Sequence, residues 1–188
     1  MYLIIEGIDT AGKSTQLDIL RQKYPMALFT KEPGGTDIGL KIREMVLNGE
    51  AKSKVAEMLL FLADRAEHSF EVIRQNPDEF IISDRGVISG IGYAKDVPME
   101  IAISLNLVAL NGAVPDKIVL LELSKEELTK RLSAKENDSI EDRGVDYLLE
   151  VQDRMKQAIK ELNFNAIFID ASLSVSEIAT KIQDFIAK

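Results

Sequence analysis

Gly7-Ile8-Asp9-Thr10-Ala11-Gly12-Lys13-Ser14-Thr15 follows the apolar run Tyr2-Leu3-Ile4-Ile5 and leads into a helical stretch over residues 16–23. A strand, a glycine-bounded loop, Lys-Ser and then a helix make a Walker A loop in its expected setting. Gly7 and Gly12 admit backbone angles that a Cβ forbids, so successive N–H groups can turn inward and wrap a phosphate at a helix N-terminus. Lys13 is expected to reach the β- and γ-phosphates of a nucleoside triphosphate, ATP or GTP. The Ser14 hydroxyl is expected to hold Mg²⁺, a hard ion that prefers oxygen and keeps several waters.

The 188 residues suit one domain that can bury a core without staples. The chain has no cysteine, so disulfides, thiolate metal sites and cysteine nucleophiles are excluded. A net charge of −8 without a basic stripe argues against a nucleic-acid polymer as partner. The sequence enters directly on a strand with no charged leader and no long apolar segment. Neither secretion nor membrane insertion is expected, and the cytoplasm is the expected compartment.

Further apolar runs at 27–30, 80–83, 118–123 and 166–169 read as buried parallel strands alternating with helices, which predicts an α/β fold with both sheet faces covered. Val145, Leu148, Leu149, Val151, Met155, Ile159 and Leu162 recur at helical steps and mark a core-facing helix. A second helix is expected over 53–75. On it Phe61 and Arg65 stand four apart and therefore share a face, where a ring can stack on a base and a guanidinium can meet its edge. An ordinary core phenylalanine beside a surface arginine is the plainer alternative. In Glu32-Pro33-Gly34-Gly35-Thr36, proline and two glycines make a turn and Thr36 can cap the next helix.

The run 80–83 leads into Asp84-Arg85, an acid and a base at the carboxyl end of a strand, where open α/β sheets bind ligands. If that strand neighbours the first, Asp84 can hold a Mg²⁺-bound water and Arg85 can grip a phosphate with parallel N–H bonds. A mutual surface ion pair is the alternative. His68 is the only histidine and receives no catalytic role. The polar stretch 131–144 reads as a mobile flap or a solvated loop.

Together these residues resemble the thymidylate kinases, which convert dTMP to dTDP with MgATP. The likeness runs end to end and is carried by Glu6-Gly7-Ile8-Asp9 with Gly12-Lys13-Ser14-Thr15, by Glu32-Pro33-Gly34-Gly35-Thr36, by Leu59-Leu60-Phe61 with Arg65, by Asp84-Arg85 and by Pro115-Asp116. It implies a three-layer P-loop NTPase fold: a five-stranded parallel sheet flanked by helices, one kinase domain over 1–188 with a short lid at about 133–144, usually a homodimer. It implies that Phe61 stacks on thymine and Arg65 bonds its edge. Arg85 and Arg43 would hold the dTMP phosphate, Asp9 and Tyr93 would lie near the sugar, and Glu32, Pro33 and Gly90 would complete the dTMP site. ATP would lie on Gly7 to Thr15 with Arg131, and Mg²⁺ on Ser14 and Asp84.

Gly86, Gly90 and Ala94 depart from the usual pattern, which moves base readout toward Arg65. Thr10 and Ser139 stand where relatives tend to place cations. Lys135, Arg143 or Arg131 must then supply that charge to the transferred group, beside Lys13, Asp9 and Arg85. Two rivals remain on residues alone: a P-loop kinase for another small acceptor, and a nucleotide switch such as a GTPase. The switch is opposed by the absence of Asn-Lys-x-Asp, and of Asp-x-x-Gly after a later strand.

Overall fold

The computed structural model describes residues 1–134 and 144–188. Five strands, β1 (Tyr2–Gly7), β2 (Leu28–Lys31), β3 (Ile81–Asp84), β4 (Lys117–Glu122) and β5 (Ala166–Asp170), form one parallel sheet in the order β2-β3-β1-β4-β5. Each of the five predicted strands is present within a few residues of its expected ends. Every residue of β1 is buried, with Leu3, Ile4 and Ile5 at 0% exposure, because a central strand of a parallel sheet is covered on both faces.

Parallel strands need crossover connections, and of the eight α-helices among the described residues seven supply them while the last follows β5. They are α1 (Lys13–Lys23), α2 (Asp37–Leu47), α3 (Lys54–His68), α4 (Val87–Tyr93), α5 (Met99–Leu110), α6 (Lys125–Ser133), α7 (Val145–Glu161) and α8 (Val175–Ala187). Local sequence starts several of them. Thr36 caps α2 by accepting from Gly39 N at 2.9 Å, and Ser174 with Glu177 closes a capping box on α8. The α7 stripe is core as expected, with Leu148, Val151, Met155 and Ile159 buried.

The helix expected over 53–75 is two pieces. Regular α3 stops at His68 and a π-helical turn, Ser69–Ile73, follows. A regular helix turns residues five apart to different faces, whereas the wider turn keeps both His68 and Ile73 buried.

The register sets up the site. β3 does neighbour β1, with Ile5 opposite Asp84, and Gly7 lies opposite Leu121 on β4. The loop after β1 and the residues after β3 therefore leave the same edge of the sheet side by side. Among the described residues no helix is long and apolar enough to cross a membrane.

Candidate active site

Tight backbone geometry forms the loop between β1 and α1. Gly7 has φ 150°, Thr10 67° and Gly12 92°, and Gly12 is the residue before the first turn of α1. A Cβ on Gly7 would lie 2.9 Å from Leu121 O, so both its angle and its surroundings require glycine. Ala11 N bonds back to Ile8 O at 3.3 Å, which closes the loop on itself. Ser14 and Thr15 are exposed at the start of the helix.

Lys13 is buried, and its Nζ donates to Gly7 O at 3.0 Å and Ile8 O at 2.9 Å. Burial, with the Arg85 charge second, pulls its pKa down to about 7, while Asp9 and Asp84 oppose that fall. A lysine so desolvated gains most when an anion arrives to share the site. Arg131, on α6, lies across the loop: Nη1 donates to Thr10 O at 2.9 Å, Nη2 to Ala171 O at 2.6 Å and Nε to Glu127 at 2.8 Å. Lys135, Ser139 and Arg143, and with them most of the expected lid, lie outside the described residues.

At the end of β3, Arg85 has φ 66°, in the left-handed region. Its Nη1 donates to Gly7 O and to Ser89 Oγ, each at 3.0 Å, and its Nη2 pairs with Asp9 Oδ1 at 2.5 Å. The guanidinium also sits 5.5 Å from the Tyr93 ring centre. These bonds tie β3 to the phosphate loop and leave guanidinium donors unspent for a bidentate partner. A strained backbone at a charged residue beside an anion cradle is where strain serves function.

A cleft of about 500 Å³ opens beside this arginine. Asp9, Glu32, Pro33, Phe61, Arg65, Arg85, Gly90 and Tyr93 all line it, so eight residues from five separate stretches meet at one cavity. Phe61 is half-buried and has a face to offer. Arg65 is not a surface residue: it is 3% exposed, paired with Glu32 Oε2 at 2.7 Å and bonded to Gly86 O at 2.8 Å and to Asn106. Arg43 does not line the cleft. It donates to the carbonyl of Pro33, which does line it, at 3.2 Å.

Beneath the cleft runs a buried polar network. His68 joins Glu32 Oε1 through Nδ1 and Thr30 Oγ1 through Nε2, both at 2.7 Å, so the single histidine is a structural strut. Burial alone would raise the Glu32 pKa, but Arg65 and His68 outweigh it and hold the carboxyl below its ordinary value. The Tyr93 hydroxyl is buried without a hydrogen-bond partner, and burial pushes its pKa up to about 12. It stays neutral.

Three functional neighbours received no role from the sequence. Glu6 is fully buried and accepts from Ser89 N at 3.0 Å and from Ser89 Oγ, which in turn receives Arg85. Asn106 holds Arg65. Asp64 accepts from Gly34 N at 2.8 Å and fixes the glycine turn. A charge inside the apolar strand Tyr2–Gly7 and an amide inside the apolar helix Met99–Leu110 are the signals that mark the first two.

Burial pushes the Asp64 pKa from 3.8 up to about 6, against the Gly34 N–H, with Glu32 adding to the rise. Its folded value exceeds its unfolded value, so the stability it adds is complete below about pH 4 and is lost as pH rises through about 6. A difference of about two units is worth at most about 3 kcal/mol. Asp64→Asn is therefore expected to melt at a temperature that climbs relative to the parent between pH 4 and 7. An offset that stays constant over that range in calorimetry would contradict it.

The residues expected at Mg²⁺ fit a hard cation. Asp84 Oδ1 is buried with no hydrogen-bond partner, and its carboxylate is within electrostatic reach of Lys13. Among the described residues no cluster of three or more His, Cys, Asp or Glu could cage a metal.

Comparison with known proteins agrees with this geometry. The family model "Thymidylate kinase" matches residues 5–182. The thymidylate kinase of Aliarcobacter butzleri is 60% identical over 99% of this chain and 98% of its own length. That of Wolinella succinogenes is 55% identical over 97% and 96%. A crystal structure of thymidylate kinase from Ehrlichia chaffeensis superposes with a TM-score of 0.78, covering 100% of this chain and 98% of that one at 20% identity, which speaks to the fold. With a phosphate loop, a cleft lined by an aromatic ring and two arginines beside it, and relatives matched along nearly their whole length, the chain belongs to the thymidylate kinase family.

Proposed function

We propose that the chain, as a single P-loop kinase domain, transfers the γ-phosphoryl group of MgATP to dTMP, with the phosphate loop as donor site and the cleft lined by Phe61, Arg65 and Arg85 as acceptor site. Family membership makes it an ATP-dependent nucleoside-monophosphate kinase. One observation carries the residue assignment: the ring and both arginines line a single cleft that also takes in Asp9 of the phosphate loop.

The chemistry needs alignment and charge neutralisation more than a base. The attacking phosphate is largely dianionic at neutral pH, with its second pKa near ~6, and phosphoryl transfer runs through a loose transition state. Lys13 holds the donor phosphates and Arg85 holds the acceptor phosphate, with Arg43 as its second cation. Phe61 stacks on the base. Arg65 offers only donors and so favours a carbonyl edge over an amino edge. Glu32, Pro33 and Gly90 shape the pocket, and Asp9 and Tyr93 face the sugar. Gly7 to Thr15 and Arg131 serve ATP, and Lys135 and Arg143 are the lid's cations. Ser14 and Asp84 would hold Mg²⁺, which would supply charge neutralisation to the donor phosphates.

The test is ³¹P NMR of a mixture of ATP, Mg²⁺ and dTMP. ADP and dTDP are expected in equal amounts, and only when dTMP is present. ADP formed equally fast without dTMP would sink the reading.

The assembly is a homodimer in this reading. Leu40 on α2, Leu59 on α3 and Val108 on α5 are 52%, 51% and 76% exposed and are apolar side chains that a partner subunit could cover. Sedimentation velocity at micromolar concentration is expected to give a dimer, and a lone monomer would contradict it. The cytoplasm is the proposed compartment, which fractionation of cells reads directly. A nucleic-acid polymer is not a partner in this reading, since a net charge of −8 opposes binding to a polyanion.

A further inference from the structure

Asn106 is fully buried beside the cleft, the one buried polar side chain of helix α5. Its amide has one possible orientation. Nδ2 donates to Ala102 O at 2.7 Å, and Oδ1 accepts from Arg65 Nη1. A flipped amide would put oxygen against a carbonyl and N–H against N–H.

The guanidinium it meets is gripped from the far side by Glu32 Oε2 at 2.7 Å and Gly86 O at 2.8 Å. Arg65 Nε is buried with no hydrogen-bond partner. Asn106 is thus the restraint that opposes the pull of Glu32.

Gly90, on α4, shows how closely the pair is fitted. A Cβ there would lie 2.7 Å from Asn106 Oδ1 and 3.0 Å from Arg65 Cζ, and nearer still to Nη1. The amide from α5 and the guanidinium from α3 fill the space that a side chain on α4 would occupy.

We propose that Asn106 is a specificity-determining positioning residue, which through Arg65 fixes the base edge that the acceptor cleft admits; this rests on the reading of Arg65 as the base-edge donor. Both polar atoms of Asn106 are spent, one on backbone and one on Arg65. The edge that Arg65 presents to the cleft is therefore donor-only, open to a carbonyl such as that of thymine and closed to an amino group such as that of cytosine. Without Asn106, Nη1 loses its partner and the guanidinium relaxes toward Glu32, which blurs the discrimination.

The experiment measures kcat and KM for dTMP and dCMP in Asn106→Ala, Asn106→Asp, Arg65→Ala and the Arg65→Ala/Asn106→Ala double variant. Asn106→Ala is expected to raise KM for dTMP about ten-fold or more, as loss of a hydrogen bond to a charged group does, to narrow the dTMP-over-dCMP ratio, and to leave KM for ATP unchanged. Asn106→Asp keeps the oxygen that accepts from Arg65 but sets its second oxygen against Ala102 O, so it is expected to restore only part of the ratio. On the Arg65→Ala background, Asn106→Ala is expected to change the ratio no further. An unchanged ratio in Asn106→Ala beside a collapsed one in Arg65→Ala overturns the inference and leaves the reading of Arg65 standing. An unchanged ratio in Arg65→Ala overturns both. A further loss of ratio in the double variant marks Asn106 as structural only. Should Asn106→Ala fail to fold, Asn106→Ser, whose hydroxyl falls short of Arg65, carries the same comparisons.

Discussion

Lys13→Ala is expected to lower kcat about 10²–10³-fold while leaving a folded protein, since a positioned group that meets developing charge is worth roughly 3–4 kcal/mol. The geometry explains why the fold survives. Lys13 is buried and its pKa is pulled down to about 7, so its charge is a cost to the free protein that the substitution removes. Against that stands the loss of its bonds to Gly7 O and Ile8 O, which offsets part of the gain. Turnover at saturating ATP and dTMP reads the first effect and calorimetry the second. Near-parent turnover in the folded variant would remove Lys13 from the donor site.

Arg85→Ala is expected to reduce kcat/KM about 10²–10³-fold for every monophosphate acceptor alike, because a charge-assisted phosphate clamp positions whatever base is attached. The contrast with Arg65→Ala is the informative part, since that change should alter the ratio between bases. Arg85 also holds an uncommon φ of 66°, which alanine keeps and glycine relieves. Arg85→Gly should therefore melt higher than Arg85→Ala by an amount on the order of 1 kcal/mol, with both equally impaired. A selective loss for one base, or an Arg85→Gly protein less stable than Arg85→Ala, would contradict the account of this residue.

Much of this was legible in the sequence because the signals are local. Glycine spacing, lysine and hydroxyl in the phosphate loop, five apolar runs and the four-residue step from Phe61 to Arg65 each follow from backbone geometry within one element. What stayed hidden depends on contacts between elements. Arg65 reads as a surface cation by composition, yet Glu32, Gly86 O and Asn106 together let it lie at 3% exposure. Glycine at 90 reads as a missing contact, whereas its lack of a Cβ is what admits the guanidinium. His68 offered no period or motif to reveal the strut it makes between Glu32 and Thr30. The regular helix expected over 53–75 gave way at His68 because burial of both His68 and Ile73 required a wider turn.

The central claim is that donor and acceptor meet across the loop after β1, with the acceptor base on Phe61. A crystal structure with dTMP and a non-hydrolysable ATP analogue tests it most directly. The expected result is the thymine ring stacked on Phe61 with its carbonyl edge at Arg65, the acceptor phosphate on Arg85, and the terminal phosphate of the analogue at Lys13. Thymine seated instead in the neighbouring cavity of about 320 Å³ that Lys95, Val97 and Tyr147 help to line, with Arg85 still paired to Asp9 and free of phosphate, would contradict it.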